Sequence, residues 1–130
     1  MPKKEKSPYG RLLVKLIEQA ELTQFKFYTK LNITKPYFYD IVSGKVNPPP
    51  PSTQLRIIEI LNPSDKDRDQ LLNEASTARQ ELPADIFIYL LKHPDRYSNL
   101  RKNIDYKALI EEPITIEESE DKDNAKLITT

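Results

Sequence analysis

Hydrogen-bonding and charged side chains crowd the segment from Thr34 to Asn47. If residues 34–43 form a helix, Phe38 and Ile41 share its inner face because they are three residues apart. The outward positions are then Lys35, Pro36, Tyr39 and Asp40, with Tyr37 at the edge, and Lys45 and Asn47 follow the helix. One cation, two phenols and one carboxylate can donate and accept hydrogen bonds to the base edges and phosphates of a nucleic acid.

The sequence contains no comparable set of residues for catalytic chemistry. The chain has no cysteine and a single histidine, His93, which is followed by a proline. It contains no glycine-rich phosphate loop and no His, Asp and Glu cluster at metal-ligand spacing. We therefore predict a protein that is not an enzyme and that has no cofactor or metal site, and we give His93 a structural role.

The formal net charge of zero hides an uneven distribution of charge. Residues 1–48 carry a net charge of +5, residues 49–110 are neutral, and residues 111–130 carry −5. A basic N-terminal region is typical of a face that binds a polyanion, although an ordinary solvated surface can have the same composition. Two interpretations of the acidic tail remain open, a solvating segment or a competitor for the basic face.

Helical periodicity and capping residues predict an all-α domain, beginning with a helix over residues 8–20. Thr23 and Thr34 are suitable N-caps for the next two helices, while Asn32 and Gly44 can end them in the left-handed conformation. Only residues 32–34 separate these two helices. Such a short turn predicts a steep crossing that leaves the second helix protruding.

The four consecutive prolines 48–51 predict an extended linker around the surface, followed by a fourth helix capped by Ser52. The apolar positions expected to face the core are Leu55, Ile58 and Leu61 in this helix and Leu71, Leu72 and Ala75 in a fifth helix that follows Ser64. A sixth helix starts at Pro83 and is rich in apolar residues. Its candidate residues for a dimer or partner contact are Ile86, Tyr89 and Leu90. A short helix over 95–102 follows, and disorder is expected from about Glu111.

The ordered spacing of the first half resembles that of Xre/Cro-type, or lambda-repressor-like, helix-turn-helix regulators. The matching residues are Tyr9-Gly10-Arg11, Leu13, Leu16, Leu22-Thr23-Gln24, Phe27, Leu31-Asn32-Ile33-Thr34, Ile41, Gly44 and Asn47-Pro48. The resemblance covers residues 7–62 well and residues 63–103 loosely. Tyr28 departs from the pattern, which has a small residue there, so its ring must turn outward or push the two helices apart.

The resemblance implies a transcriptional regulator, such as a repressor, that binds double-stranded DNA as a homodimer with helix 34–43 in the major groove. It implies that Gln24 binds a phosphate and braces that helix. The other implied DNA contacts are Thr34, Lys35, Pro36, Tyr37, Tyr39, Asp40, Lys45 and Asn47. The alternative is a protein-interaction module, such as an antitoxin or anti-repressor, in which the face 37–40 binds a protein target or effector.

The predicted organisation is a basic arm over residues 1–6, the helix-turn-helix domain over 7–62, a helical extension over 63–110 and the acidic tail over 111–130. No apolar run approaches membrane-spanning length, and the basic start lacks the apolar stretch of a signal peptide. We therefore expect a cytoplasmic protein without a membrane partner.

Overall fold

The computed structural model describes residues 5–113, in which all regular elements are helical and no strand occurs. The helices are α1 (Pro8–Gln19), α2 (Gln24–Leu31), α3 (Lys35–Ser43), α4 (Pro51–Leu61), α5 (Asp65–Arg79), α6 (Ala84–Lys92), α7 (Tyr97–Arg101) and α8 (Tyr106–Glu111), with a 3-10 turn over Pro94–Arg96. The predicted all-α class is confirmed for these residues. No helix in this range has both the length and the apolar character that crossing a bilayer requires.

The chain divides into two compact units at the boundary between His93 and Pro94. The first unit contains α1 to α6 and the hydrophobic core, and the second contains the 3-10 turn, α7 and α8. This boundary falls inside the predicted helical extension 63–110, and the predicted domain limits stay a prediction. Residues 1–4 of the arm and 114–130 of the acidic tail lie outside the described residues.

The caps of α2 and α3 have the predicted geometry. Thr23 and Thr34 each accept a hydrogen bond from the backbone N–H three residues further on, at 3.0 and 3.2 Å. Asn32 and Gly44 adopt left-handed conformations, with φ of 61° and 83°, and end the two helices. The short turn between α2 and α3 is therefore encoded by local residue types on both sides.

Helices α1 and α3 are in direct backbone contact at Gly10. A Cβ added there would collide with the carbonyl oxygen of Val42, so only glycine permits this approach. The same carbonyl accepts hydrogen bonds from the backbone N–H of Ser7 at 3.0 Å and from its hydroxyl at 3.3 Å. The start of α1 is thus bonded to the end of α3.

The core is formed by α1, α2 and α3 and is completed by side chains of α4 and α5. Phe27 and Phe38 are fully buried, with ring centroids 5.8 Å apart. Tyr28 is half-buried and its ring lies 5.6 Å from the rings of both Phe38 and Phe25. Its ring therefore packs at the edge of the core, between the buried Phe38 and the exposed Phe25.

The proline run differs from the predicted surface linker. Pro48 and Pro49 are buried, and Pro51 is the first residue of α4, with Pro50 rather than Ser52 at the N-cap. Proline suits a first helical turn because the N–H it lacks would have no helical partner there. With this start, α4 buries Gln54, Ile57 and Leu61, while the predicted core residues Leu55 and Ile58 are only partly buried.

The later helices agree more closely with the sequence-based prediction, except that one further helix is present. Ser64 caps α5 by accepting the N–H of Asp67 at 3.2 Å, and the predicted residues Leu71, Leu72 and Ala75 are buried. The predicted helix over 95–102 is a 3-10 turn followed by α7. Helix α8 was not predicted, although Asp105 caps it by accepting the N–H of Ala108 at 3.1 Å.

Substituting Gly10 by alanine should lower the free energy of unfolding by about 1–3 kcal/mol, because the added methyl group forces α1 away from α3. Alanine has a higher helix propensity than glycine, which stabilises the helix by up to about 1 kcal/mol, and the expected loss already includes this gain. Urea denaturation of the full chain measures it. Lys15→Ala, on the exposed side of α1, is the control and should change stability by less than about 0.5 kcal/mol. Equal stability of G10A and the parent chain would contradict the prediction.

Candidate nucleic-acid interface

Helix α3 presents one buried and one exposed face. Its buried residues are Phe38, Ile41 and Val42, as predicted for the first two. Lys35 and Pro36 are exposed on the opposite side, and 46% of the surface of Tyr39 is accessible. The predicted contacts Tyr37 and Asp40 are half-buried, and Tyr37 packs against the hydrophobic core. Of the predicted contacts on α3, Lys35, Pro36 and Tyr39 are therefore the exposed ones.

Gln24 and Tyr39 connect the first turn of α2 to the exposed face of α3. The hydroxyl of Tyr39 donates a hydrogen bond of 3.4 Å to Oε1 of Gln24. The ammonium group of Lys35 lies 6.0 Å from the centre of the Tyr39 ring, within the range of a cation–π contact. These contacts bring three predicted site residues together on one exposed patch that spans two helices.

The two helix N-termini differ in the backbone donors they offer. In α2, the N–H groups of Gln24 and Phe25 precede the first helical hydrogen bond and have no partner within residues 5–113. In α3, the second residue is a proline, and the third N–H donates to the side chain of Thr34. Only the N–H of Lys35 is left there, so α2 is the better anion-binding terminus.

The loop after α3 carries the remaining predicted contacts, Lys45 and Asn47, both of which are exposed. Its position is set by hydrogen bonds to other elements. Nη1 of Arg79 donates to the carbonyl oxygen of Pro48 at 2.9 Å, while Nε of the same guanidinium lies 2.7 Å from a carboxylate oxygen of Glu81. The end of α5 thus holds the loop that presents Lys45 and Asn47.

Unpaired cations concentrate in the first three helices and the segments around them. The basic residues of the described segment 5–48 are all exposed, and none forms a salt bridge within the described chain: Lys6, Arg11, Lys15, Lys26, Lys30, Lys35 and Lys45. In contrast, Arg56, Arg68, Arg79 and Arg96 each pair with an acid. A hydrogen bond to Asp69 is the main cause that raises the pKa of Arg68. After residue 48, four of the five arginines therefore pair with an acid, whereas no basic residue of segment 5–48 does.

Phe25 is an exposed residue of this surface that sequence reasoning missed. It is 65% accessible, and its ring meets that of Tyr28 edge to face at 5.6 Å. The signal was present in the spacing, because Phe25 lies off the stripe formed by Phe27 and Leu31. An exposed aromatic ring beside Gln24 gives the patch an apolar component.

A cleft of about 270 Å³ lies beside the loop that follows α3. Its walls are formed by the start of α1, by Gly44 and residues 46–48, and by the last turns of α5, and Glu74 is the one charged residue among the lining side chains. Burial, with a smaller effect of Tyr37, raises the pKa of Tyr9 in this wall. No group of three or more His, Cys, Asp or Glu that could hold a metal occurs in the described part of the chain.

The predicted partner contacts lie on another element. Ile86 and Tyr89 are 48% and 46% accessible on α6, and Leu90 beside them is half-buried. None of the contacts described above for the α2–α3 patch involves these residues. The candidate DNA contacts and the candidate partner contacts thus form two separate surfaces.

Replacing Arg79 by methionine should release the loop after α3 while keeping the apolar part of the side chain. We expect faster amide hydrogen exchange at residues 45–47 and a loss of about 1–3 kcal/mol in unfolding free energy, because the Pro48 carbonyl loses a charged donor. The control is Arg56→Met, which removes an exposed ion pair to Glu59 and should cost less than about 1 kcal/mol. Unchanged exchange at 45–47 in R79M would show that Arg79 does not hold the loop.

Comparison with known proteins returned no relative: no family model, no curated protein and no solved structure matches this chain. The resemblance to Xre/Cro-type regulators therefore stays a prediction that depends on the quoted residues.

Proposed function

We propose that this protein is a sequence-specific DNA-binding regulator of transcription, a repressor, and that α2 and α3 form a lambda-repressor-like helix-turn-helix. The observation that carries the proposal is the exposed face of α3, where Lys35, Pro36 and Tyr39 stand clear of the core on a helix joined to α2 by three residues. A helix with an exposed face of this kind fits a major groove about 12 Å wide.

The chemistry of this face suits direct contact with base edges. Lys35 can donate to the O6 and N7 acceptors of guanine, and the phenol of Tyr39 can donate or accept. Asp40 is an acceptor and matches the amino group of cytosine, although near phosphates it lowers affinity. The mixture of donor and acceptor groups favours sequence-specific recognition of DNA over nonspecific binding by positive charge alone.

Phosphate contacts would come from the surroundings of α3. The uncapped N–H groups of Gln24 and Phe25 lie at the N-terminus of α2, where the helix dipole favours an anion. Lys45 and Asn47 lie on the loop that follows the C-terminus of α3. Phosphate-binding groups on both sides of a reading helix would determine how it is oriented in the groove.

The unpaired cations of residues 5–48 supply the long-range part of the interaction. Each lysine or arginine that neutralises a phosphate releases counterions, which makes binding strongly dependent on salt. Since these side chains have no acidic partner in the described chain, binding does not require that internal ion pairs be broken first. A neutral protein can therefore bind a polyanion through one strongly basic region.

The aromatic character of the patch favours a second candidate, a protein-interaction module in which the same face binds a protein target. Phe25 is 65% and Tyr39 46% accessible, and exposed aromatic side chains are enriched in protein interfaces. The two functions differ in their dependence on salt and on DNA, so one experiment separates them.

Fluorescence anisotropy with the duplex upstream of the protein's own gene, and with an unrelated duplex of equal length, tests the proposal. We expect tighter binding to the first and a steep fall of affinity with salt. Lys45→Ala, which removes a proposed phosphate contact, should make the slope of log K against log salt shallower by about 0.9 and weaken binding to both duplexes alike. Lys35→Ala, which removes a proposed base contact, should instead reduce the preference for the specific duplex.

Lys66→Ala, which removes an exposed cation from α5, is the matched control and should leave affinity and slope unchanged. The absence of binding to either duplex at about 50 mM salt would refute the DNA-binding proposal and favour the protein-interaction module.

A further inference from the structure

Helix α6 is apolar in seven of its nine positions, yet Ala84 is its one fully buried residue. One side of the helix packs against α4 and α5. Large side chains on the rest remain accessible, with 48% for Ile86, 46% for Tyr89 and 58% for Leu91. Burying apolar surface is favourable by about 25 cal/mol per Å², so a partner that covers these side chains forms a more stable complex.

Two of the accessible side chains share one side of the helix with two half-buried ones. Ile86 and Tyr89 are accessible, Leu90 and the C-cap residue His93 are half-buried, and the spacing of three and four residues places the four in a stripe along α6. Leu91 lies outside this stripe. The rings of Tyr89 and His93 are in contact, with centroids 4.4 Å apart and planes inclined at 35°. This contact adds aromatic surface to the C-terminal end of the stripe.

Two opposite charges border the stripe on one edge. Asp85 and Lys92 are the charged residues of α6, and a separation of seven residues places them on nearly the same side, about 10.5 Å apart along the axis. Neither forms a salt bridge within residues 5–113. The helix therefore carries a negative charge at its start and a positive charge at its end, with an apolar stripe alongside.

This pattern is complementary to itself in one orientation. When two identical helices pair antiparallel about a two-fold axis, the same edge of each helix faces the other. Asp85 of one copy then lies opposite Lys92 of the second copy, and the reciprocal pair forms at the other end. A parallel arrangement would bring neither pair together.

We propose that α6 is a self-association surface on which a second copy of this chain docks its own α6 antiparallel. The stripe Ile86, Tyr89, Leu90 and His93 forms the centre, and the two Asp85–Lys92 pairs flank it. A nine-residue helix is about 13.5 Å long, and its pairing covers less than the roughly 800 Å² per partner of standard stable interfaces. The dimer is therefore in equilibrium with monomer and depends on concentration.

Sedimentation equilibrium of the full chain over a concentration series, in low salt and without DNA, tests this pairing. Asp85→Lys and Lys92→Asp each replace two attractive contacts by two repulsive ones and should weaken self-association about tenfold. The double variant D85K/K92D exchanges the charges and should restore it. An equimolar mixture of the two single variants should form a heterodimer, since positions 85 and 92 of facing copies then carry opposite charges only in the mixed pair.

Lys66→Glu on α5 is the control for a general effect of charge and should leave self-association unchanged, and circular dichroism checks that each variant is folded. A parent chain that stays monomeric throughout the series overturns the proposal. So does failure of both the double variant and the mixture to restore association, which would mean that α6 binds another partner or pairs differently. Because the assay contains no DNA, its outcome is independent of the proposed DNA binding.

Discussion

The backbone contact between Gly10 and Val42 is the constraint on which the first half of the molecule depends. Because α1 can approach the carbonyl of Val42 without an intervening side chain, Ser7 comes within hydrogen-bonding distance of that carbonyl and lies against Gly44. Gly44 in turn ends α3 in a conformation that favours glycine. Two glycines, the only ones in the chain, thus determine where α3 ends and where the following loop begins.

The distribution of ion pairs explains how a neutral protein can have a one-sided field. After residue 48 most arginines are satisfied by a nearby acid, as in the pairs of Arg56 with Glu59 and Arg79 with Glu81. Before residue 48 the cations are lysines and one arginine without acidic partners in the described chain. Exposed pairs contribute little to stability, so leaving these cations unpaired has little energetic cost to the fold.

Local signals in the sequence were the reliable ones. Caps at Thr23, Thr34 and Ser64 and the left-handed stops at Asn32 and Gly44 were predictable because each depends on neighbours a few residues away. The exposed side of α3 was also predictable, since a regular period and two buried residues determine it. The same reasoning left α8 unrecognised, because a six-residue helix shows too little periodicity to detect.

Errors and omissions arose where distant residues decide the outcome. The inner face of α4 was only partly right, because Leu61 is buried as predicted but Gln54 and Ile57 are buried in place of Leu55 and Ile58. The contact between Tyr39 and Gln24 joins residues 15 positions apart, and that of Arg79 with Pro48 joins residues 31 apart. Neither pair has a local signature, so the candidate residues of the site could be named from the sequence but not their partners.

The proline run has a consequence for how the loop after α3 is held. Residues 48–51 contain no backbone N–H, so this stretch can take part in hydrogen bonds only as an acceptor. The donors come from side chains of later helices, Arg79 to the carbonyl of Pro48 at 2.9 Å and Gln54 to that of Pro49 at 2.8 Å. Such a segment offers no backbone donor to an approaching strand, which disfavours its pairing with the edge of another chain. The exit of α3 is therefore held from outside, by donors of α4 and α5.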